Sequence, residues 1–344
     1  MVKVSAPGKI HLIGEHAVVY GEPAILAAVG KRLFVEAEKH DAVKYVDLRW
    51  ETDSKEWAVE DVLESTDRVL ELWSHGTQTK DFSPLFNHIK ADRYAGYRKA
   101  VVGIVMKKLG IKGGVKLAIN CEFPTSAGLG SSSALSVAVV TAISELYEKQ
   151  LSLSQINELS YDLEKIIHGT PSGGDNTASC YGGLIWFQKS SPQNVMMPLK
   201  EEISSMPEGF VLVNTREEKS STGELIQKVR LLEESYRAPR IKEISKLVYE
   251  MKVALKSKKY DLMKDIINRD QQLLKELEVS TDEIDSIAEA VRKIGGAAKL
   301  CGAGGGGIML CWHKDKDLLK RTISQLGYEP WETQLGVEGV RIEK

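Results

Sequence analysis

A chain of 344 residues with 46 Lys and Arg against 48 Asp and Glu has a formal net charge of −2, a balance that gives no case for a nucleic acid or a membrane surface as partner. Its length favours about two domains over one core. The cysteines Cys121, Cys180, Cys301 and Cys311 form no Cys-x-x-Cys pair, so neither a zinc site nor a disulfide framework is indicated. No apolar run reaches the ~18 residues of a membrane span, and no charged-then-apolar signal opens the chain, so a cytoplasmic protein with a small substrate is expected.

In chain order, residues 2–5 alternate as a short strand, Ala6-Pro7-Gly8-Lys9 breaks it, and Ile10 to Gly14 leads to the polar pair Glu15-His16. Apolar chain follows to Val29 across a Gly-x-Pro turn, and alternation resumes over 32–38. From 41 to 98 the chain is polar and irregular, yet it holds Trp50, Trp57 and Trp73, which implies partial burial. A helix is expected over 62–73, then a loop over 74–84 that either borders a base-binding pocket or, the preferred reading, packs on the sheet. A helix over 100–109 ended by Gly110 precedes a strand over 115–119.

That strand runs into Pro124, Thr125, Ser126, Ala127, Gly128, Leu129, Gly130, Ser131, Ser132, Ser133 and Ala134. Gly128 and Gly130 permit a tight turn, and the apolar run from Ala134 has helical spacing, so the loop opens a helix whose free amides and positive dipole end suit a triphosphate. The hydroxyls of Ser131, Ser132 and Ser133 can bind phosphate oxygens or a metal. No lysine stands in the loop, so this is not the Walker pattern and a phosphate-facing lysine must come from elsewhere. A merely capped turn is the competing reading.

Ser152-x-x-Gln155 reads as a capping box for a helix with Ile156, Leu159, Leu163 and Ile166 on one face, which leaves Glu164 off the buried stripe. Gly169 ends that helix, and a turn-rich segment carries Asp175, so that a helix end and a loop can bring Glu164 and Asp175 to one cleft. A strand over 184–187 and a polar stretch over 189–193 place a domain boundary after 188. The second half reads as a strand over 210–213, a helical region over 223–277 broken near Pro239 and Ser257, a helix over 281–294, and strands flanking Gly302 to Gly307. A helix over 316–326 and a strand over 338–343 complete that half. The loop is too glycine-rich for an ordinary hairpin, and close approach to a ligand explains it as well as a bland turn does.

Four stretches, APGKIHLIGEHAVVYGEPA, PTSAGLGSSSA, HGTPSGGDN and KLCGAGGGG, resemble in this order the motifs of the galactokinase, homoserine kinase, mevalonate kinase and phosphomevalonate kinase (GHMP) superfamily. Spread from Ala6 to Gly307, they cover nearly the whole chain. The resemblance implies an α+β, two-domain architecture: an N-terminal ribosomal-protein-S5-like domain over 1–188 with the phosphate loop and catalytic aspartate, and a C-terminal ferredoxin-like domain over 189–344 that closes over the cleft. Glu15 to Val19 and His168 to Gly173 favour the branch acting on mevalonate over its sugar-kinase relatives. The implied partners are mevalonate and ATP with Mg²⁺, no nucleic acid and no membrane, with a homodimer admitted.

By motif position the resemblance makes Asp175 the catalytic base and Lys9 the cation beside it. It makes Ser132 and Glu164 the metal ligands, and Glu15, His16 and Thr222 the acceptor contacts. The bland alternatives are a helix-capping Asp175, a solvated Glu164 and a structural His16. Two departures stand out. Gly174 replaces the usual branched aliphatic before the catalytic aspartate, which would enlarge the acceptor pocket, and Ser126 stands where glycine is common. A relative acting on phosphomevalonate or a sugar, and a non-catalytic nucleotide sensor on the same fold, are the alternatives.

Overall fold

The computed structural model describes residues 1–48, 53–125, 128–191, 193–215 and 222–344, so that Trp50, Ser126, Ala127 and residues 216–221 lie outside the described residues. The first sheet is built on two long strands, β1 (Val2–Ile13) and β2 (Pro23–His40), joined through a 3-10 turn at Ala17–Tyr20. The break expected at Ala6 to Lys9 is instead a register shift within one strand: Pro7 faces Arg32 whereas Gly8 faces Val29. Such a bulge turns the strand without ending it.

β3 (Val43–Asp47) and β4 (Asp53–Trp57) form a hairpin inside the segment expected to be irregular. α1 (Val59–Thr79) and α2 (Ser83–Leu109) then fill the span expected to hold a loop. Only residues 80–82 separate them, and α2 is interrupted at Ala91–Tyr94. Their polar faces hid two helices that bury Val62, Val69, Leu85 and Ile89 in the main core. Trp73 packs against that core and donates from Nε1 to the Gly169 carbonyl at 2.9 Å.

β5 (Gly114–Cys121) leads into the phosphate loop, and α3 (Ser131–Leu146) leaves it and packs on β1 and β2, buried almost all round. α4 (Leu153–His168) starts with the expected capping box and ends at Gly169. α5 (Gly174–Tyr181) follows, then β6 (Leu184–Gln188) and β7 (Val195–Pro198). β7 pairs with β6, so this sheet continues past residue 188.

A second, antiparallel sheet has the order β11-β8-β10-β9, from β8 (Phe210–Asn214), β9 (Ala297–Leu300), β10 (Ile308–Trp312) and β11 (Pro330–Glu332). Between β8 and β9 run α6 (Thr222–Leu231), α7 (Glu234–Lys256), α8 (Tyr260–Glu276) and α9 (Asp282–Lys293). The break expected at Pro239 falls earlier, between α6 and α7, and Pro239 lies inside α7 as its sixth residue, where it leaves the carbonyl four residues before it without an amide donor but does not end the helix. α10 (Lys316–Gln325) precedes β11, and the last strand, β12 (Arg341–Ile342), is shorter than expected and pairs with β1 in the first sheet. No helix among the described residues is long and apolar enough to cross a membrane.

Candidate active site

A cleft of about 1080 Å³ lies between the two sheets' ligand edges, walled by β1, the phosphate loop, the α4–α5 segment, the start of α6 and the glycine loop after β9. It gathers Lys9, Glu15, His16, Ser132, Glu164, Asp175 and Thr222, all of the separate motif residues. Of the phosphate loop, Pro124, Thr125, Gly128, Gly130, Ser131 and Ser132 line it. Leu129 and Ala134 are in the core and Ser133 is buried below the helix start, so these three support the loop from behind.

Lys9 is fixed twice by this loop. Its amide donates to the Leu129 carbonyl at 2.8 Å, and its stem runs past Gly130, where an added Cβ would come within 2.9 Å of Lys9 Cγ. Gly130 also has φ of +69°, a conformation that favours glycine. The side chain, almost wholly buried, ends with Nζ 3.0 Å from Asp175 Oδ2. Asp175 lies in the first turn of α5, where the helix dipole favours a negative charge, and keeps 39% of its side chain exposed to the cleft. Burial pushes its carboxyl up, but the Lys9 charge, with His11 and a Lys9 hydrogen bond, outweighs it and holds the group below its ordinary value. An ionised carboxylate facing open space beside a fixed cation can take a proton from an alcohol while the cation steadies a phosphoryl group.

The N-terminus of α3 meets the same space. Its N-cap is Gly130, and no side chain caps its first amides, which leaves them available to an anion. Behind it, Glu164 is 2% exposed, not on a solvated face. Lying off the apolar stripe turned it toward the phosphate-loop hydroxyls: Oε2 accepts from Ser133 Oγ at 2.5 Å and Ser132 Oγ at 3.1 Å, and Oε1 from Ser136 Oγ at 2.9 Å. His168, one turn further along α4, brings Nε2 within 3.1 Å of Ser132 Oγ and 3.5 Å of Glu164. Burial lowers its imidazole, but Glu164 more than reverses this and raises it. Ser132 and Glu164 offer two hard oxygens at the phosphate end. That fits Mg²⁺, which takes one or two carboxylates and fills its shell with water and phosphate oxygens.

Glu15 and His16 line the cleft but are committed to the second sheet's side. Glu15 Oε1 is bound by Lys299 Nζ, which also lies 3.4 Å from Asp270 Oδ2, and all three groups are buried. Burial raises the Glu15 carboxyl despite Lys299. His16 Nε2 is 2.9 Å from the Ala303 carbonyl, and its φ of 58° is unusual for a non-glycine residue. Together these bonds tie the turn after β1 to the glycine loop, a role nearer to the structural reading of His16. Lys299 and Asp270 were not singled out from sequence, since nothing local in a strand or an amphipathic helix marks a partner so distant in the chain. His11 and Asn176 were also missed, although His11 follows Lys9 by one strand period.

Gly174 does not enlarge the acceptor pocket. A Cβ there would point away from the cleft, to 2.9 Å from Leu26 Cδ1 and 3.3 Å from Phe187 Cδ2, so larger neighbours already fill the space a branched residue would take.

Comparison with known proteins places this arrangement. The chain matches the GHMP kinases N terminal domain over residues 96–183 and the GHMP kinases C terminal domain over residues 251–332. It is 31% identical to the mevalonate kinase of Thermococcus sibiricus, with 99% of this chain and 98% of that one aligned. It is also 31% identical to the mevalonate kinase of Pyrococcus abyssi, over 100% and 98% of the two chains. The crystal structure of the Methanococcus jannaschii mevalonate kinase superposes with a TM-score of 0.80 at 25% identity, covering 97% of this chain and 98% of that one. With a two-sheet fold, the phosphate loop and the Lys9–Asp175 pair in place, the chain belongs to the mevalonate kinase family of the GHMP kinases.

Proposed function

We propose that the chain transfers the γ-phosphoryl group of ATP to the 5-hydroxyl of mevalonate, giving 5-phosphomevalonate and ADP. The single observation that carries this reading is the contact of Lys9 with Asp175 at the mouth of an uncapped helix N-terminus. The three amides opening α3 and the hydroxyls of Ser131 and Ser132 cradle the nucleotide phosphates. Asp175 orients the acceptor hydroxyl and takes its proton as the oxygen–phosphorus bond forms and the bond to the ADP oxygen breaks; the proton then leaves to solvent. Lys9 keeps Asp175 ionised beforehand and balances the charge on the moving phosphoryl group. Ser132 and Glu164 would hold Mg²⁺, whose contribution when bound is to neutralise charge on the phosphate oxygens. The Lys299 and His16 links hold the glycine loop against the acceptor turn, so that the reacting oxygen and phosphate meet in a fixed geometry.

The test is ADP release with Mg²⁺ and ATP in the presence of mevalonate, phosphomevalonate, galactose or homoserine, with phosphorus NMR on the product. Mevalonate-dependent ADP and a new phosphomonoester are expected. Turnover on another acceptor but not on mevalonate would overturn the assigned substrate, and silence on all four would overturn the kinase reading.

A further inference from the structure

His168 has no part in the steps above, although it reaches a hydroxyl assigned to the metal. It stands one turn after Glu164, so both side chains leave the same face of α4. That face meets the first turn of α3: His168 Nε2 and Glu164 Oε2 each lie 3.1 Å from Ser132 Oγ. The His168 side chain keeps 49% of its area exposed, and the ring lines the cleft. A cation that merely favours the C-terminal end of its own helix is the bland reading of such a residue, and it needs no contact with the phosphate loop.

A serine hydroxyl carries one proton and two lone pairs. Ser132 donates its proton to Glu164 Oε2, so in the contact with His168 it is Nε2–H that donates and Oγ that accepts. This holds for a charged ring, which donates from both nitrogens, and for a neutral ring with its proton on Nε2. One lone pair of Oγ is then left, on a residue that lines the cleft. Alone, a serine hydroxyl turns among three staggered positions; gripped by α4 from two sides, it is held in one. We propose that His168 is a positioning residue of the metal site, fixing Ser132 Oγ so that its remaining lone pair is kept for Mg²⁺. This assignment rests on the reading of Ser132 as a metal ligand and deepens it.

The experiment measures Mn²⁺ binding to the enzyme–ADP complex by electron paramagnetic resonance, Mn²⁺ being a spin probe that takes the same oxygen ligands as Mg²⁺. The proteins are the unchanged enzyme, His168→Leu, His168→Gln, Ser132→Ala and the double variant Ser132→Ala with His168→Leu. Tm and ADP binding in a chelator are followed in parallel. Loss of a partner that orients a metal ligand should weaken Mn²⁺ binding about tenfold or more in His168→Leu. His168→Gln, whose amide N–H can take the place of Nε2–H, should recover much of that loss. In the Ser132→Ala background His168→Leu should cost nothing further, because the hydroxyl it orients is gone. Three results would overturn the assignment: unchanged Mn²⁺ affinity in His168→Leu, the same loss with and without Ser132, which would mean that His168 acts on the ligand by itself, or an equal loss of ADP affinity in the chelator, which would mean a merely structural role. Ser132→Ala binding Mn²⁺ as the unchanged enzyme does would overturn the metal site itself, and the His168 assignment with it.

Discussion

Lys9 Nζ and Asp175 Oδ2 lie 3.0 Å apart, the first almost wholly buried and the second open to the cleft. The asymmetry has a chemical meaning: the cation is held rigid by the loop it passes, and the carboxylate it keeps ionised faces the open cleft.

Lys9→Met removes the charge and keeps much of the stem. Burial then acts on Asp175 with less opposition, so its carboxyl rises and the acid limb of kcat/KM moves to higher pH. Loss of a preorganised charge should lower kcat about a hundred- to a thousandfold. A pH–rate profile checks both; an acid limb that stays in place would show that Lys9 does not set the Asp175 charge.

Glu164→Gln keeps the shape of the side chain and removes its charge. Activity should need at least about tenfold more Mg²⁺, while nucleotide binding in the presence of a chelator changes little. Magnesium titration of activity measures this, and an unchanged requirement would remove Glu164 from the metal site.

The Glu15–Lys299–Asp270 cluster places two carboxylates on one buried ammonium. Burial pushes Asp270 up to about 7 against the pull of Lys299. In the unfolded chain that carboxyl ionises near its ordinary value of about 3.9. Between about pH 4 and 7 the folded protein therefore keeps a proton that the unfolded chain has lost, and this group's contribution to stability falls as pH rises. Asp270→Asn removes that dependence, so the variant should gain on the parent protein in Tm from pH 5 to pH 8. A Tm difference independent of pH would contradict it.

Gly174→Val should overpack the wall formed by Leu26 and Phe187 and cost about 1–3 kcal/mol in denaturant unfolding. Combining it with Leu26→Ala should recover part of that loss beyond additivity. Additive losses would mean that the two side chains do not compete for the same space.

Sequence reading reached the Lys9–Asp175 pair that the structure brings together because both residues sit in motifs whose order along the chain is itself informative. Glu164 was legible as a candidate ligand but not as a buried group: its position off the apolar stripe implies solvent unless another element supplies hydroxyls, and those come from the phosphate loop. The helices over 59–79 and 83–109 were shortened or read as loop because long polar faces dilute the apolar period. The bulge at Pro7 and Gly8 looked like a strand end, since the residues that permit a register shift also mark turns. Lys299 and Asp270 could not be read at all, because a buried ion pair is a property of two distant segments meeting and leaves no local pattern in either.

The measurement that tests the central claim most directly is mevalonate-dependent ADP formation by the parent protein and by Asp175→Asn, with ATP binding followed in parallel. Phosphoryl transfer through Asp175 predicts turnover by the parent and a loss of about a thousandfold in the variant, with ATP affinity held within about threefold. Asp175→Asn working at the parent rate would contradict the account.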